Sequence, residues 1–280
     1  MPGRALVIHG GTGYGPNKTV LSQARRRLRR IAQTCFTFLA SHSSLETVAE
    51  AVRLLEDDPF FNAGTGSYLQ RDGRARMSAS IMDGHTGRFG AVLNIERVRN
   101  PVLVASRLLG ERDRILAADG ARRYARRQGF GDWNPVTAER LKRWKLLKEE
   151  EHGTVGAAAI DDHGRLAVAT STGGKGFELP GRVSDSGLPV GNYASSFAAA
   201  SCTGIGEDIV EEALSVRLVE RAHAALSIHK AFQKLIPEIK ARKRRAGAVG
   251  LDRNGRMSWG TTMPILIAIG VTGRGLKESF

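Results

Sequence analysis

Apolar residues recur along this chain in two rhythms, and the change from one to the other lays out its elements. A five-residue apolar run, Ala5-Leu6-Val7-Ile8-His9, predicts a buried strand that stops at Gly10-Gly11-Thr12-Gly13. From about Thr19 to Ala40 the period is helical, with Leu21, Leu28, Ile31 and Phe36 on one face and arginines on the other. Ser44 to Leu55 predicts a second helix, with Ser44 as its cap and Glu46 and Thr47 in its first turn. Short runs joined by tight glycine turns follow. Tyr68-Leu69-Gln70 and Ala75 to Ile81 flank Asp72-Gly73. Ala79 to Met82 and Ala91 to Ile95 flank Asp83-Gly84-His85-Thr86-Gly87. Pro101 to Leu109 and Arg112 to Gln128 read as helices, and Gly129 to Gly153 as a charged connector of weak helical character.

After Thr154 the same grammar resumes. Val155 to Ile160, the turn Asp161-Asp162-His163-Gly164 and Leu166 to Ser171 form a hairpin, and Ala198 to Cys202 a short strand. Ile209 to Leu226 and Ser227 to Lys240 read as helices. A last hairpin runs from Gly247 to Leu251, turns at Asp252-Arg253-Asn254-Gly255 and returns through Met257 to Trp259. Strand-rich centres flanked by paired helices predict an α+β fold, two mainly antiparallel sheets packed together between helical layers. Residues 1–280 are read as one domain, since no repeat or disordered linker divides them and neither side of Thr154 could close such a sandwich alone.

The net charge of +14 raises a nucleic-acid partner as a question. Before Thr154 there are 26 basic and 16 acidic residues, a net +10, which leaves +4 for the remainder. The excess sits in Arg25-Arg26-Arg27-Leu28-Arg29-Arg30, in Arg122-Arg123 with Arg126-Arg127, and from Arg140 to Lys148. Each cluster reads as the solvated face of a helix, with Leu28, Ile31, Leu141 and Leu147 turned inward. No nucleic-acid module or basic strand with interleaved aromatics is present, so no nucleic-acid partner is expected. Two cysteines, Cys35 and Cys202, make neither a disulfide framework nor a zinc site. No leader pattern or membrane-length apolar run is evident, so a cytoplasmic protein with no membrane partner is expected.

The most informative stretch for chemistry is His152-Gly153-Thr154-Val155-Gly156, followed by Ser171-Thr172-Gly173-Gly174. A threonine ahead of an apolar strand is ordinarily just a strand residue. Here, however, Thr154 follows glycine at the end of a charged segment, Lys145 to Glu151, where a chain could be cut. Cleavage of the Gly153–Thr154 bond would give Thr154 a free α-amine beside its own hydroxyl. Such an amine has an unperturbed pKa of about 7.7–8 and serves as a base near neutrality. The residues by themselves leave both readings open.

The surrounding blocks add to this. Ile8-His9-Gly10-Gly11, the run from Leu54-Leu55-Glu56 through Asn62-Ala63-Gly64, and Ile81-Met82-Asp83-Gly84 precede the cut. Gly153-Thr154-Val155-Gly156, Thr170-Ser171-Thr172-Gly173-Gly174, Leu179-Pro180-Gly181-Arg182-Val183 and Ser201-Cys202-Thr203-Gly204 follow it. In order and spacing, from residue 5 to about residue 260, these seven blocks resemble the plant-type (type 2) L-asparaginase/isoaspartyl peptidase family of N-terminal-nucleophile (Ntn) hydrolases.

The resemblance implies an αββα sandwich, processed into an α subunit 1–153 and a β subunit 154–280. It implies Thr154 as nucleophile and its freed amine as base and then acid. Thr172 would hold Thr154 in register, Asn62 would help position it, and Thr203 with the Gly204 N–H would form the oxyanion hole. Arg182 would bind the substrate α-carboxylate and Asp185 its α-ammonium, with Gly204 and Gly206 lining the same pocket. The carbonyls of Leu55, Glu56, Asp58, Phe61, Ala63 and Thr65 would hold a structural sodium ion, with no organic cofactor. Asp57-Asp58 alone suggests a divalent-metal or acid–base pair, a reading set aside because no matching histidine lies nearby in sequence. His9 and Cys202 are expected in the core.

By resemblance the substrates are L-asparagine and β-aspartyl dipeptides, and the assembly an (αβ)2 homodimer. Glycosylasparaginase is the alternative hydrolase, opposed by Gly153 where that branch has Asp and by the missing leader. A taspase-type endopeptidase would need an open cleft. A catalytically lapsed basic binding protein would lack one of Thr154, Thr172, Thr203 or Arg182, and all are present. The chain departs from the family at Ser78, in Ser184-Asp185-Ser186-Gly187, at Thr261-Thr262-Met263-Pro264, and from Ile265 to Phe280, for which the resemblance offers no counterpart.

Overall fold

The first strand outruns its apolar run: β1 (Ala5–Thr12) continues through both glycines and is buried throughout. It belongs to an eight-stranded sheet in a computed structural model that describes residues 3–13, 17–146 and 153–279. In spatial order that sheet holds β12 (Gly275–Glu278), β11 (Leu266–Thr272), β1, β5 (Val155–Ile160), β6 (Leu166–Thr172), β2 (Met77–Asp83), β3 (Phe89–Ile95) and β4 (Ile115–Ala117). All its pairings are antiparallel except β3 with β4. A four-stranded antiparallel sheet runs β10 (Met257–Thr261), β9 (Ala246–Asp252), β8 (Ala198–Gly204) and β7 (Asn192–Ala194). The strand that begins just after Thr154 lies between β1 and β6, so strands from both sides of Thr154 interleave in one sheet.

The inner strands are covered on both faces and therefore read as apolar runs without alternation. Ala158, Val168, Ala199, Val249 and Ala268 fill the space between the two sheets, where small side chains let the layers approach closely. The outer face of the large sheet packs under α1 (Lys18–Phe38), α2 (Ser44–Asp57) and α3 (Pro101–Leu108) through Leu28, Ile31, Val52 and Val104. The outer face of the small sheet packs under α7 (Leu214–Ala224) and α8 (Ile228–Ala241) through Leu218, Phe232 and Leu235. This is the α+β sandwich expected from the pattern. Among the described residues no helix is long and apolar enough to cross a membrane.

Four expectations are corrected, and one segment left unassigned gains a place. The cap of α2 is Ser43, not Ser44: its hydroxyl accepts from Glu46 N–H at 3.2 Å while Glu46 accepts from Ser43 N–H at 2.9 Å, a reciprocal capping box. The helix expected from Arg112 is first a strand, because Ile115–Ala117 pairs with β3 at the sheet edge, and α4 (Ala118–Arg127) begins at a left-handed Ala118. The helix expected from Ile209 to Leu226 breaks at Ala213, also left-handed, into α6 (Gly206–Glu212) and α7. There Arg217, Arg242 and Arg244 converge on the buried Glu212 carboxylate and fix the corner. Tyr68-Leu69-Gln70 forms no strand, since its main chain bonds to Asn62 Oδ1 and to the turn at Arg74. The segment from Ile265 is a sheet member, with β11 pairing along β1 and β12 along β11.

Candidate active site

Register places the candidate nucleophile, Thr154. Val155 stands opposite Ser171 in the β5–β6 ladder, so Thr154 and Thr172 end up side by side at the strand ends. Their Oγ1 atoms lie 3.2 Å apart, and both residues are buried. Thr172 Oγ1 also accepts from Gly174 N–H at 3.2 Å, which fixes the hydroxyl against its own following turn. Asn62 ties this turn to the Gly153–Thr154 junction. Its Nδ2 donates to Gly174 O at 2.6 Å, its Oδ1 accepts from Tyr68 N–H at 2.9 Å, and its main-chain oxygen accepts from Gly173 N–H at 2.9 Å. A Cβ at Gly153 would lie 3.0 Å from Asn62 Cβ, so Gly153 rests on Asn62. On the other side, a Cβ at Gly11 would come within 2.8 Å of Gly153 Cα, and Gly11 has a φ of +105°. Glycine is required there both by conformation and by the close approach of the junction.

Beneath Thr154 lies a chain of buried polar contacts. His9 Nε2 is 2.8 Å from Ser201 Oγ, which is 2.7 Å from Thr170 Oγ1. Burial pushes the His9 imidazole down to about 3, so it stays neutral and serves structure, as expected. Cys202 is likewise core, its thiol pushed well up by burial.

Thr203 and Gly204 close β8. Thr203 pairs with Gly247 of β9, and a Cβ at Gly247 would sit 3.1 Å from Thr12 Cγ2, next along the chain from the Gly11 that touches Gly153. The end of β8 and the start of β5 thus border the same end of β1. Thr203 Oγ1 is buried and has no hydrogen-bond partner among the described residues, which an incoming ligand could supply. Gly204 has a φ of +130°, and a Cβ there would lie 2.6 Å from Arg245 O.

Arg182, Asp185 and Gly206 also converge. A Cβ at Gly206 would lie 2.6 Å from Arg182 Nη2 and 2.9 Å from Asp185 Oδ1. Asp185 opens a 3-10 turn, Asp185–Gly187, where Ser184 Oγ donates to its Oδ1 at 3.1 Å. Its Oδ2 has no partner among the described residues, and burial raises its carboxyl to about 6. Arg182 makes its ion pair elsewhere. Its Nε and Nη2 donate to Glu207 at 2.7 and 2.8 Å, and this strong pairing pulls the Glu207 carboxyl down to about 2. Both of these bonds use the Nε and Nη2 side of the guanidinium. Glu207 escapes a reading of the sequence, although its place three residues past Gly204 was the available signal. Glu178 escapes it too: it is buried on Gly174, with Oε2 unpartnered among the described residues.

The loop after α2 curls back on the helix end. Thr65 N–H donates to Glu56 O at 2.7 Å, Phe61 N–H to Asp58 O at 3.1 Å, and Gly64, at φ +52°, packs on the Glu56 carbonyl. Asp58 pairs with Arg27 at 2.7 Å, and Asp57 with Arg53 and Arg99 at 2.7 and 2.8 Å. Both acids are therefore engaged, and among the described residues no group of three His, Cys, Asp or Glu could hold a metal. What this loop offers is main-chain carbonyls at the negative end of a helix dipole, a donor set that fits a hard monovalent cation. The Glu56 side chain looks the other way, accepting from Ser171 Oγ at 2.6 Å and Val102 N–H at 3.0 Å, and burial raises its carboxyl to about 8. The charged stretch 147–152 ahead of the junction lies outside the described residues.

Two antiparallel sheets between helical layers, with a hydroxyl residue set just ahead of a central strand, define the Ntn class of hydrolase. A family model described as asparaginase matches residues 3–152 and 146–279, and the chain belongs to that family. It is 43% identical over 286 residues to the isoaspartyl peptidase/L-asparaginase of Nostoc sp., covering 94% of this chain and 90% of that protein. It is 40% identical over 294 residues to the protein of the same name from Synechocystis sp., covering 98% and 89%. The plant-type L-asparaginase of Pyrococcus horikoshii is 37% identical over 251 residues, covering 79% and 82%.

Proposed function

We propose that this chain cuts its own Gly153–Thr154 bond and then hydrolyses the side-chain amide of L-asparagine and the β-aspartyl bond of isoaspartyl dipeptides. The observation that carries the reading is the 3.2 Å contact of Thr154 Oγ1 with Thr172 Oγ1 in a site that also gathers Arg182 and Asp185. The names of the Nostoc and Synechocystis relatives, isoaspartyl peptidase/L-asparaginase, support both substrates.

In the precursor, Thr154 Oγ1 attacks the Gly153 carbonyl carbon and the C–N bond breaks, which frees the Thr154 amine and leaves an ester; water then hydrolyses the ester, releasing the Gly153 carboxylate and the Thr154 hydroxyl. That amine then takes the hydroxyl proton as Oγ1 attacks the substrate's side-chain carbonyl. It returns the proton to the departing ammonia or amino acid, and water cleaves the β-aspartyl ester to give L-aspartate. Thr203 and the Gly204 N–H face the developing oxyanion, where one such donor is worth about 3–4 kcal/mol. Arg182 receives the α-carboxylate on the side of its fork that Glu207 leaves open, and Asp185 receives the α-ammonium. The leaving group is not gripped by this clamp, which is why one site serves an amide and a dipeptide.

A sodium ion on the carbonyls of Leu55, Glu56, Asp58, Phe61, Ala63 and Thr65 would brace the loop that carries Asn62. An (αβ)2 homodimer, taken from the resemblance, and a cytoplasmic location, taken from composition, complete the reading. The test is aspartate release from L-asparagine and from β-aspartyl-leucine by purified protein, beside Thr154→Ala. Release from both substrates that disappears in the variant supports the proposal, and an inactive parent protein overturns it.

A further inference from the structure

Arg182 is the last residue of a four-residue turn, Leu179-Pro180-Gly181-Arg182, closed by its N–H on Leu179 O at 3.0 Å. Proline in the second place and a φ of +90° at Gly181 in the third mark a type II turn. The direction in which Arg182 leaves the main chain is therefore set by how this turn is held, and Gly181 has no side chain with which to anchor it. Two side chains from elsewhere do so. Asn94 Nδ2 donates to Gly181 O at 3.0 Å, and Gln70 Oε1 accepts from Gly181 N–H at a longer 3.4 Å. Both are buried, and Gln70 Oε1 is itself fixed by Arg76 Nη1 at 2.7 Å.

Asn94 reaches Gly181 because the strand that carries it is irregular. The β2–β3 pairing slips between Met77 and Ala79, and Asn94 adopts a φ of 50°. That region is open to asparagine at far lower cost than to the branched residues a regular strand prefers. Its N–H donates to Ser78 Oγ at 3.1 Å, and Ser78 stands opposite Thr172 in the β2–β6 ladder. A continuous line of contacts thus joins Thr172, Ser78, Asn94, Gly181 and Arg182, from the nucleophile's partner to the carboxylate site.

We propose that Asn94, seconded by Gln70, is a positioning residue for Arg182, and that the irregularity in β3 exists to deliver its amide to Gly181. The proposal rests on the reading of Arg182 as the site of the α-carboxylate. It separates two reactions of one nucleophile: self-cleavage uses Gly153, Thr154 and Thr172 without Arg182, whereas substrate hydrolysis needs both.

The experiment compares Asn94→Gly, Asn94→Asp and Arg182→Ala with the parent protein. Glycine keeps the left-handed backbone free of strain and deletes the amide; aspartate keeps the shape and turns a carboxylate on the Gly181 carbonyl. Self-cleavage is followed by intact mass, and KM and kcat for L-asparagine are measured on the matured protein. Both Asn94 variants are expected to process at the parent rate and to raise KM about tenfold, the scale of one lost hydrogen bond, with kcat changed less than about twofold. A parent-like KM in Asn94→Gly beside a raised KM in Arg182→Ala overturns the positioning role. Loss of processing, kcat and KM together marks Asn94 as merely structural and also overturns it. A parent-like KM in Arg182→Ala removes the carboxylate reading, and this proposal with it.

Discussion

Thr154 and Thr172 face each other across the ends of two neighbouring strands, their hydroxyl oxygens 3.2 Å apart. The ladder between β5 and β6 enforces this pairing, and under the proposed mechanism it makes Thr172 a residue that directs the Thr154 hydroxyl. Thr172→Ala is expected to lower kcat for L-asparagine at least about tenfold and to slow self-cleavage, with Thr172→Ser much less affected. Single-turnover rates of the purified variants check this. A parent-like kcat in Thr172→Ala would remove the residue from the site.

Asp185 gives the activity and the stability opposite pH trends. Its carboxyl titrates at about 6 in the fold against an ordinary 3.8, so the folded chain holds the proton more tightly than the unfolded one. This contribution to stability is full below about pH 3.8 and is lost as pH rises through about 6, on the order of 3 kcal/mol in all. Only the ionised form pairs with a substrate ammonium, so the Asp185 contribution to kcat/KM is expected to rise as pH passes through about 6. Asp185→Asn should be more stable than the parent at pH 7, equal to it at pH 4, and poor in KM. Urea unfolding at the two pH values, with a kcat/KM profile, reads all three.

Gly206 has room for a hydrogen and nothing more. A methyl group there would press on Arg182 Nη2 and Asp185 Oδ1, at 2.6 and 2.9 Å from its carbon. The Arg182 side chain can swing away, so Gly206→Ala should fold and process normally but raise KM for asparagine by about tenfold or more. Equal KM values would show that Arg182 and Asp185 do not bind substrate from the positions they hold here.

Arg140 of α5 (Ala138–Lys145) bolts the loop that carries Asn62. Its guanidinium donates to Gly66 O at 2.7 Å and Phe60 O at 3.2 Å and lies over the Tyr68 ring at 4.5 Å, nearly out of solvent. Hydrogen bonds to a charged donor are worth about 1.5–3 kcal/mol each, so Arg140→Ala should destabilise the protein by about 2–4 kcal/mol. Lysine restores little, because it lacks the planar fork. A thermal melt decides, and an unchanged Tm in either variant would refute the clamp.

The parts of the site that reside in local pattern are legible in the chain. Gly153-Thr154 before an apolar strand and Ser171-Thr172-Gly173-Gly174 after one already imply two threonines at neighbouring strand ends. The capping box is written as Ser43 and Glu46, three residues apart, and only the choice between adjacent serines misleads. What escapes is long-range. Glu207, at the start of α6, meets Arg182 across 25 positions, and no local pattern contains the placement of that helix against the Leu179–Arg182 turn. Leu266–Thr272 is an apolar, β-branched run, but the strand it pairs with, β1, lies at the far end of the chain and no local pattern names it. Asn94 reads as one more residue in an apolar run, since a slipped register is invisible without the partner strand. Ala213 has the best helical propensity there is and still breaks a helix, because Glu212 is drawn inward by three arginines.

The most direct test of Thr154 as a released N-terminal nucleophile is the intact mass of the purified protein after incubation at neutral pH, beside Thr154→Ala. Two fragments, the second beginning at Thr154, with the variant remaining whole, are the predicted result. A parent chain that stays whole while hydrolysing asparagine, or a Thr154→Ala variant that is cut at the same bond, would contradict it.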